Sequence, residues 1–144
     1  MTKIRSKRLS YVLGVVGGAA VLVLGAGTNA FAASGSASGT GVSASASWSW
    51  SGCCTINNIS QSVSDTKGDS HAVYAFIRVY TGLNPDGDDI ANLRNDQGYN
   101  STVTRSGRYW EASSNISGVR VIACVDDAGS DTCYKGSYID NPNT

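Results

Sequence analysis

Apolar residues recur at every second position along much of this chain, an alternation that suits strands and not helices. Residues 71–81, His-Ala-Val-Tyr-Ala-Phe-Ile-Arg-Val-Tyr-Thr, are the strongest case. Val73, Ala75, Ile77 and Val79 share one face and suit a core. Tyr74, Phe76, Arg78 and Tyr80 share the other and suit a position under a loop or at an interface. Residues 119–125 repeat the pattern with Val119, Val121, Ala123 and Val125, and residues 132–139 are expected to pair back onto them. Residues 55–64 make a weaker strand around Ile59 and Val63. Residues 99–105 and 108–112 read as a hairpin closed by Ser106-Gly107. Residues 81–98 read as a long polar connection with a helical turn over 88–94. No sustained 3.6-residue period follows the first thirty or so residues. The pattern predicts an all-β fold: a small antiparallel β-sandwich with a disulfide-stapled C-terminal hairpin and an extended N-terminal arm.

The first 32 residues read as a secretory signal peptide. Lys3, Arg5, Lys7 and Arg8 precede an apolar run over 11–24, and Ala30-Phe31-Ala32 places small residues at a cleavage site. The apolar run is short for a membrane span. Removing those four cations from the 11 basic residues leaves seven against 11 acidic ones, a net of −4. That balance argues against a nucleic-acid partner, and no membrane attachment is expected after cleavage. All four Cys lie beyond the leader, and an even count in a secreted chain reads as disulfides. One His is too few for the usual Cys/His zinc patterns, so neither a metal nor a cofactor is expected.

Residues 33–52 are rich in Ser, Gly and Ala, and 53–144 carry the rest of the apolar pattern. The first segment is expected to be an extended arm and the second the sandwich domain. Within the arm, Ala44, Ala46, Trp48 and Trp50 alternate with Ser43, Ser45, Ser47, Ser49 and Ser51, giving one apolar and one hydroxyl face. Two readings of the tryptophans stay open. Either they cap the domain's own core from an edge strand, or the arm adds a strand to a partner's sheet with its Ala/Trp face filling pockets.

Cys124 and Cys133 flank a short turn. Antiparallel register with the turn at residues 127–130 pairs Cys124 with Cys133, Val125 with Thr132 and Asp126 with Asp131. A local bridge is expected there. It leaves Cys53 and Cys54 to bond to each other, against the strain of adjacent residues. The alternative pairs both with Cys124 and Cys133.

Arg120-Val121-Ile122-Ala123-Cys124-Val125-Asp126, Asp131-Thr132-Cys133 and Tyr138-Ile139-Asp140-Asn141-Pro142 together resemble the closing segment of a group of small secreted actinobacterial domains. The turn Ser64-Asp65-Thr66-Lys67-Gly68-Asp69 is similar to the same group. Some of that group are adaptor subunits of umbrella-shaped secreted antibacterial toxin particles. The resemblance implies a non-catalytic adaptor joining a lectin-like subunit to a large toxin subunit. It also implies an extended N-terminal segment that enters a cleft of the lectin-like partner, and the alternation at 44–50 is the matching feature. The Cys53-Cys54 pair lies outside that pattern.

Catalytic chemistry is sparse. Ser70 and His71 are neighbours on a strand, face opposite ways, and make no dyad. Glu111 is the single Glu and reads as a polar strand position. Asn84-Pro85-Asp86-Gly87-Asp88-Asp89 lacks calcium-loop spacing and reads as a turn. The expectation is therefore a binding module and not an enzyme. A second reading is an inhibitor of a secreted hydrolase, with Arg94 or Arg105 as the inserted side chain. Tyr109 and Trp110 suggest carbohydrate binding only if both are exposed.

Overall fold

The computed structural model describes residues 30–144, so most of the expected signal peptide lies outside the described residues. Nine strands follow there: β1 (Ala30–Gly39), β2 (Val42–Ser51), β3 (Thr55–Asp65), β4 (Val73–Thr81), β5 (Asp88–Asn95), β6 (Thr102–Glu111), β7 (Ile116–Val125), β8 (Thr132–Lys135) and β9 (Ile139–Asp140). They form two antiparallel sheets. The first has the order β1-β2-β3-β6, and the second β5-β4-β7-β8, with β9 continuing beside β7. The expected all-β sandwich is the fold, and its core lies between the two inner faces.

The inner face of the second sheet is the apolar set read from residues 71–81 and 119–125. Val73, Ala75, Ile77, Val79, Val119, Val121, Ala123 and Val125 are all buried. What covers them differs from the expectation. Residues 33–52 are not a free arm, and the domain does not begin at residue 53. They form the hairpin β1–β2, paired in register from Ala30 opposite Ser51 to Gly39 opposite Val42. Ala44, Ala46, Trp48 and Trp50 turn inward, with Trp48 and Trp50 only 2% and 1% exposed. Their rings meet edge to face, centroids 5.8 Å apart. The physical reason is area. Each buried indole removes roughly 150–250 Å² from water, worth at most about 4–6 kcal/mol by apolar-area arithmetic. An unpaired arm would forfeit that. Nor is β2 an edge strand, since β1 and β3 pair with it on either side.

Three bulges interrupt the strands, and two of them explain where the sequence misleads. Ser106-Gly107 does not close a hairpin. It lies inside the continuous strand β6, where Gln61 pairs with Arg105 but Ile59 pairs with Arg108. One extra residue is absorbed there as a bulge, and Gly107 has φ +76°. Glycine at positive φ serves a bulge as well as a tight turn. Asn58, at φ +53°, makes a bulge in β3 at the point where register shifts against both β2 and β6. Residues 88–94 are not a helical turn either. They belong to β5, where Ala75 pairs with Leu93 and Ile77 with Ile90, leaving Ala91 as the extra residue at φ +57°. That bulge sets the consecutive residues Ile90 and Ala91 both against the core and disguises the strand period.

Two buried amides tie the sheets together. Asn95 donates from Nδ2 to the carbonyl oxygens of Val63 (3.2 Å) and Ser101 (3.1 Å), while its Oδ1 accepts from the Gln97 N–H and the Ser101 hydroxyl. Asn141 donates to the carbonyls of Cys53 (3.2 Å) and Ile116 (3.1 Å), linking the β2–β3 turn to β7 and the C-terminus. Cys124 bonds to Cys133 in the expected register. Cys53 bonds to Cys54, and no cysteine among the described residues is free.

Trp50→Ala is expected to lower unfolding stability by about 3–5 kcal/mol, whereas Ser45→Ala on the outer face changes it by less than about 0.5 kcal/mol; paired urea melts measure both. In a tryptic map without reduction, the peptide from Val121 to Lys135 should appear alone and two hydrogens lighter than its reduced form. Its appearance linked to the Cys53-Cys54 peptide would contradict the pairing.

Candidate functional site

The two outer faces of the sandwich differ in chemistry. On the first sheet, hydroxyl residues line up across all four strands. One row runs Ser36, Ser45, Ser62 and Thr104, and the next runs Ser38, Ser43, Ser64 and Thr102. Neighbouring hydroxyls bond to each other, at 2.8 Å between Ser45 and Ser62 and 2.7 Å between Ser64 and Thr102. A shallow groove of about 450 Å³ lies along the first of these rows.

The second sheet's outer face carries the aromatic and arginine side chains of β4 and β7. Phe76, Ile122 and Cys124 are buried there as a small second cluster, with Tyr74 packed against them. Tyr74 stacks on Phe76 at 6.2 Å between centroids, and the Arg78 guanidinium lies 5.5 Å from the centre of the Phe76 ring. Tyr80 and Tyr138 meet at 5.4 Å, and the Arg120 guanidinium lies 5.7 Å from the Tyr138 ring centre. These aromatic–aromatic and cation–π contacts hold large side chains in fixed positions on a sheet surface. Tyr74, Arg78, Tyr80 and Arg120 are half-buried and Tyr138 is exposed. The sequence alternation at 71–81 pointed to this face, but nothing in it marked Arg120 or Tyr138.

Ion pairs frame the cluster. Asp89 accepts from Arg78 Nε at 2.6 Å and Nη2 at 2.8 Å, a bidentate pair that raises the arginine's pKa. Asp126 holds Arg94 in the same direction. The Tyr74 hydroxyl donates to Asp131 Oδ2 at 2.6 Å. Burial, followed by that carboxylate, pushes the phenol up to about 12.

The other sequence candidates fall elsewhere. Ala44, Ala46, Trp48 and Trp50 are core residues and offer a partner no surface. His71 Nδ1 lies 3.5 Å from Asp69 Oδ1 and 3.8 Å from Asp127 Oδ1, and no hydrogen bond joins it to Ser70 among the described residues. Lys67, followed by the His71 backbone N–H, holds the Asp69 carboxyl below its usual range. Asn84 organises its turn, donating to Asp88 Oδ1 at 2.9 Å and accepting from the Gly87 N–H at 3.2 Å. Among the described residues, no group of three His, Cys, Asp or Glu side chains is placed to hold a metal. Tyr109 and Trp110 do not form one platform: Tyr109 is 74% exposed, while Trp110 packs against the core. Arg105 Nη1 donates to the Asn92 carbonyl at 3.3 Å.

Compared with known proteins, the chain matches no family model, no curated protein and no solved structure.

The raised Tyr74 pKa has a pH consequence. The fold favours the neutral phenol, so this contribution to stability is complete below the usual value of 10.0 and is lost as pH climbs toward about 12. Ultraviolet titration of the native protein should show one tyrosine ionising near that upper value, and Asp131→Asn should move it downward.

Proposed function

We propose that this protein is a secreted, non-catalytic adaptor that docks a protein partner on the outer face of the β5-β4-β7-β8 sheet. The observation that carries this reading is the contrast between the two outer faces. One presents hydroxyls bonded to one another, and the other carries two groups of side chains in contact, Tyr74 and Arg78 about the buried Phe76, and Tyr80 and Arg120 about Tyr138. Tyrosine and arginine dominate binding energy at protein interfaces because they bury large area at modest entropic cost. Secretion is supported by the leader-like layout of residues 1–32 and by two disulfides. In its specific form the adaptor joins a lectin-like subunit to a large toxin subunit, as the resemblance of the closing segment implies. Docking by strand addition from residues 33–52 forms no part of the proposal, because those residues pair within the sandwich. The hydrolase-inhibitor reading has less support: Arg94 and Arg105 are engaged by Asp126 and by the Asn92 carbonyl.

The test is quantitative affinity purification of the tagged full chain from culture supernatant of the producing strain. Tyr80→Ser/Tyr138→Ser should reduce partner recovery at least about tenfold, and Ser45→Ala/Ser62→Ala should leave it unchanged. Equal recovery by both variants, or loss only with the serine variant, would overturn the assignment of the face.

A further inference from the structure

β4 and β7 place Arg78 directly opposite Arg120. Like charges at directly opposed positions disfavour a strand pair. Arg78 is neutralised by its two hydrogen bonds to Asp89. Arg120 has no such partner. Every Asp and Glu of the chain lies between Asp65 and Asp140, inside the described residues, and none makes a salt bridge to Arg120. Its Nε is buried without an acceptor. A desolvated donor of a charged group with no partner costs free energy; Nε is shielded from outside, so what a partner can offset is the charge of the guanidinium as a whole.

The guanidinium is nevertheless held in place. Its outward neighbours along β7 are Gly118 and Ile122. The absence of a side chain at Gly118 makes room for Tyr138, whose ring would lie 2.5 Å from any Cβ there. The Tyr138 hydroxyl donates to Ser117 Oγ at 3.1 Å, fixing the ring beneath the guanidinium. The result is a preoriented arginine between aromatic neighbours, with one open charge. A polyanion such as an acidic polysaccharide would call for a track of open cations. The other arginines of this sheet, Arg78 and Arg94, are already paired with Asp89 and Asp126, which leaves Lys135, opposite Ile122, as the other cation of the sheet and too few for a track. One guanidinium flanked by apolar surface fits one carboxylate flanked by apolar residues.

Resting on the docking face argued above, we infer that Arg120 receives an Asp or Glu side chain from the partner protein, set among apolar residues. The test uses displayed peptide libraries with random flanks and a fixed central Glu or a fixed central Gln, selected on the immobilised full chain. Selected peptides are then measured by fluorescence anisotropy. Glu-centred peptides with aromatic or aliphatic flanks should be enriched, and their Gln twins should bind about tenfold more weakly or worse. Arg120→Gln should weaken the Glu peptides equally and leave the Gln twins unaffected. Arg108→Gln, on the exposed strand β6, should change neither. Arg120→Lys keeps the charge without the fork and should recover only part of the affinity. No enrichment of Glu over Gln, undiminished binding by Arg120→Gln, or binding of alginate in place of peptides would each overturn the inference. If Tyr80→Ser/Tyr138→Ser abolishes peptide binding while Arg120→Gln retains it, the carboxylate site falls and the docking face stands. If neither variant affects binding, both fall.

Discussion

The apolar inner face of the β4–β7 pair has to be shielded from water, and the sandwich depends on what shields it. Eight inward-facing Val, Ile and Ala side chains present a wide surface with little height. A facing sheet of equally small residues would leave the middle of the sandwich thin. The facing hairpin is indeed built from Gly and Ala, but it adds Trp48 and Trp50. Two indoles in edge-to-face contact supply the volume that the rest of β1 and β2 lacks. Small residues around them let the sheets close. At Gly39, any Cβ would fall 2.2 Å from the Tyr134 ring, so the β1–β2 turn and β8 approach each other only because glycine stands there.

Hydrophobic cover alone does not define how two sheets are aligned. Hydrogen bonds from Asn95 and Asn141 do, because each amide reaches carbonyls in different elements and has few other arrangements. Both residues are almost wholly buried, at 0% and 3% exposure. Losing either partner set would strand a buried amide, which makes the alignment specific as well as stable. Asn141 also explains why the Cys53-Cys54 turn is ordered without any link to the other disulfide. Its backbone carbonyls are held from the C-terminal end.

Strand alternation was legible wherever phase was uninterrupted: residues 71–81, 119–125 and the Cys124–Cys133 register came through in the structure. It failed where a bulge shifted phase. Ala91 hid β5, and Ser106-Gly107 imitated a turn. The segment 33–52 departs from the expected arm for a different reason. Composition counts Ser, Gly and Ala as poor core formers, but pairing with β3 turns a weak segment into half of an apolar layer. Local sequence carries no record of that partner. The same limit applies to the candidate site. The Tyr74–Tyr80 stripe was visible, yet the Arg78–Arg120 opposition arises only from the register of two strands distant in sequence.

Where a partner binds follows from what the rest of the surface has already committed. Strand edges are poor docking places here. The β1 edge runs beside β8, with a Cβ on Gly136 blocked by the Ser36 carbonyl at 2.1 Å. The β6 edge carries Arg105 and Arg108 around a bulge, and the β5 edge carries Asp88 and Asp89 with a bulge of its own. Charges and bulges on edge strands oppose the addition of another strand. The hydroxyl face offers hydrogen bonds that water supplies equally well, so covering it yields little net free energy. The Tyr/Arg face differs on both counts. Its rings are fixed by their neighbours before any partner arrives, which lowers the entropy lost on docking. It also holds Arg120, whose charge no carboxylate among the described residues offsets, so a complementary partner adds an interaction there instead of disrupting one.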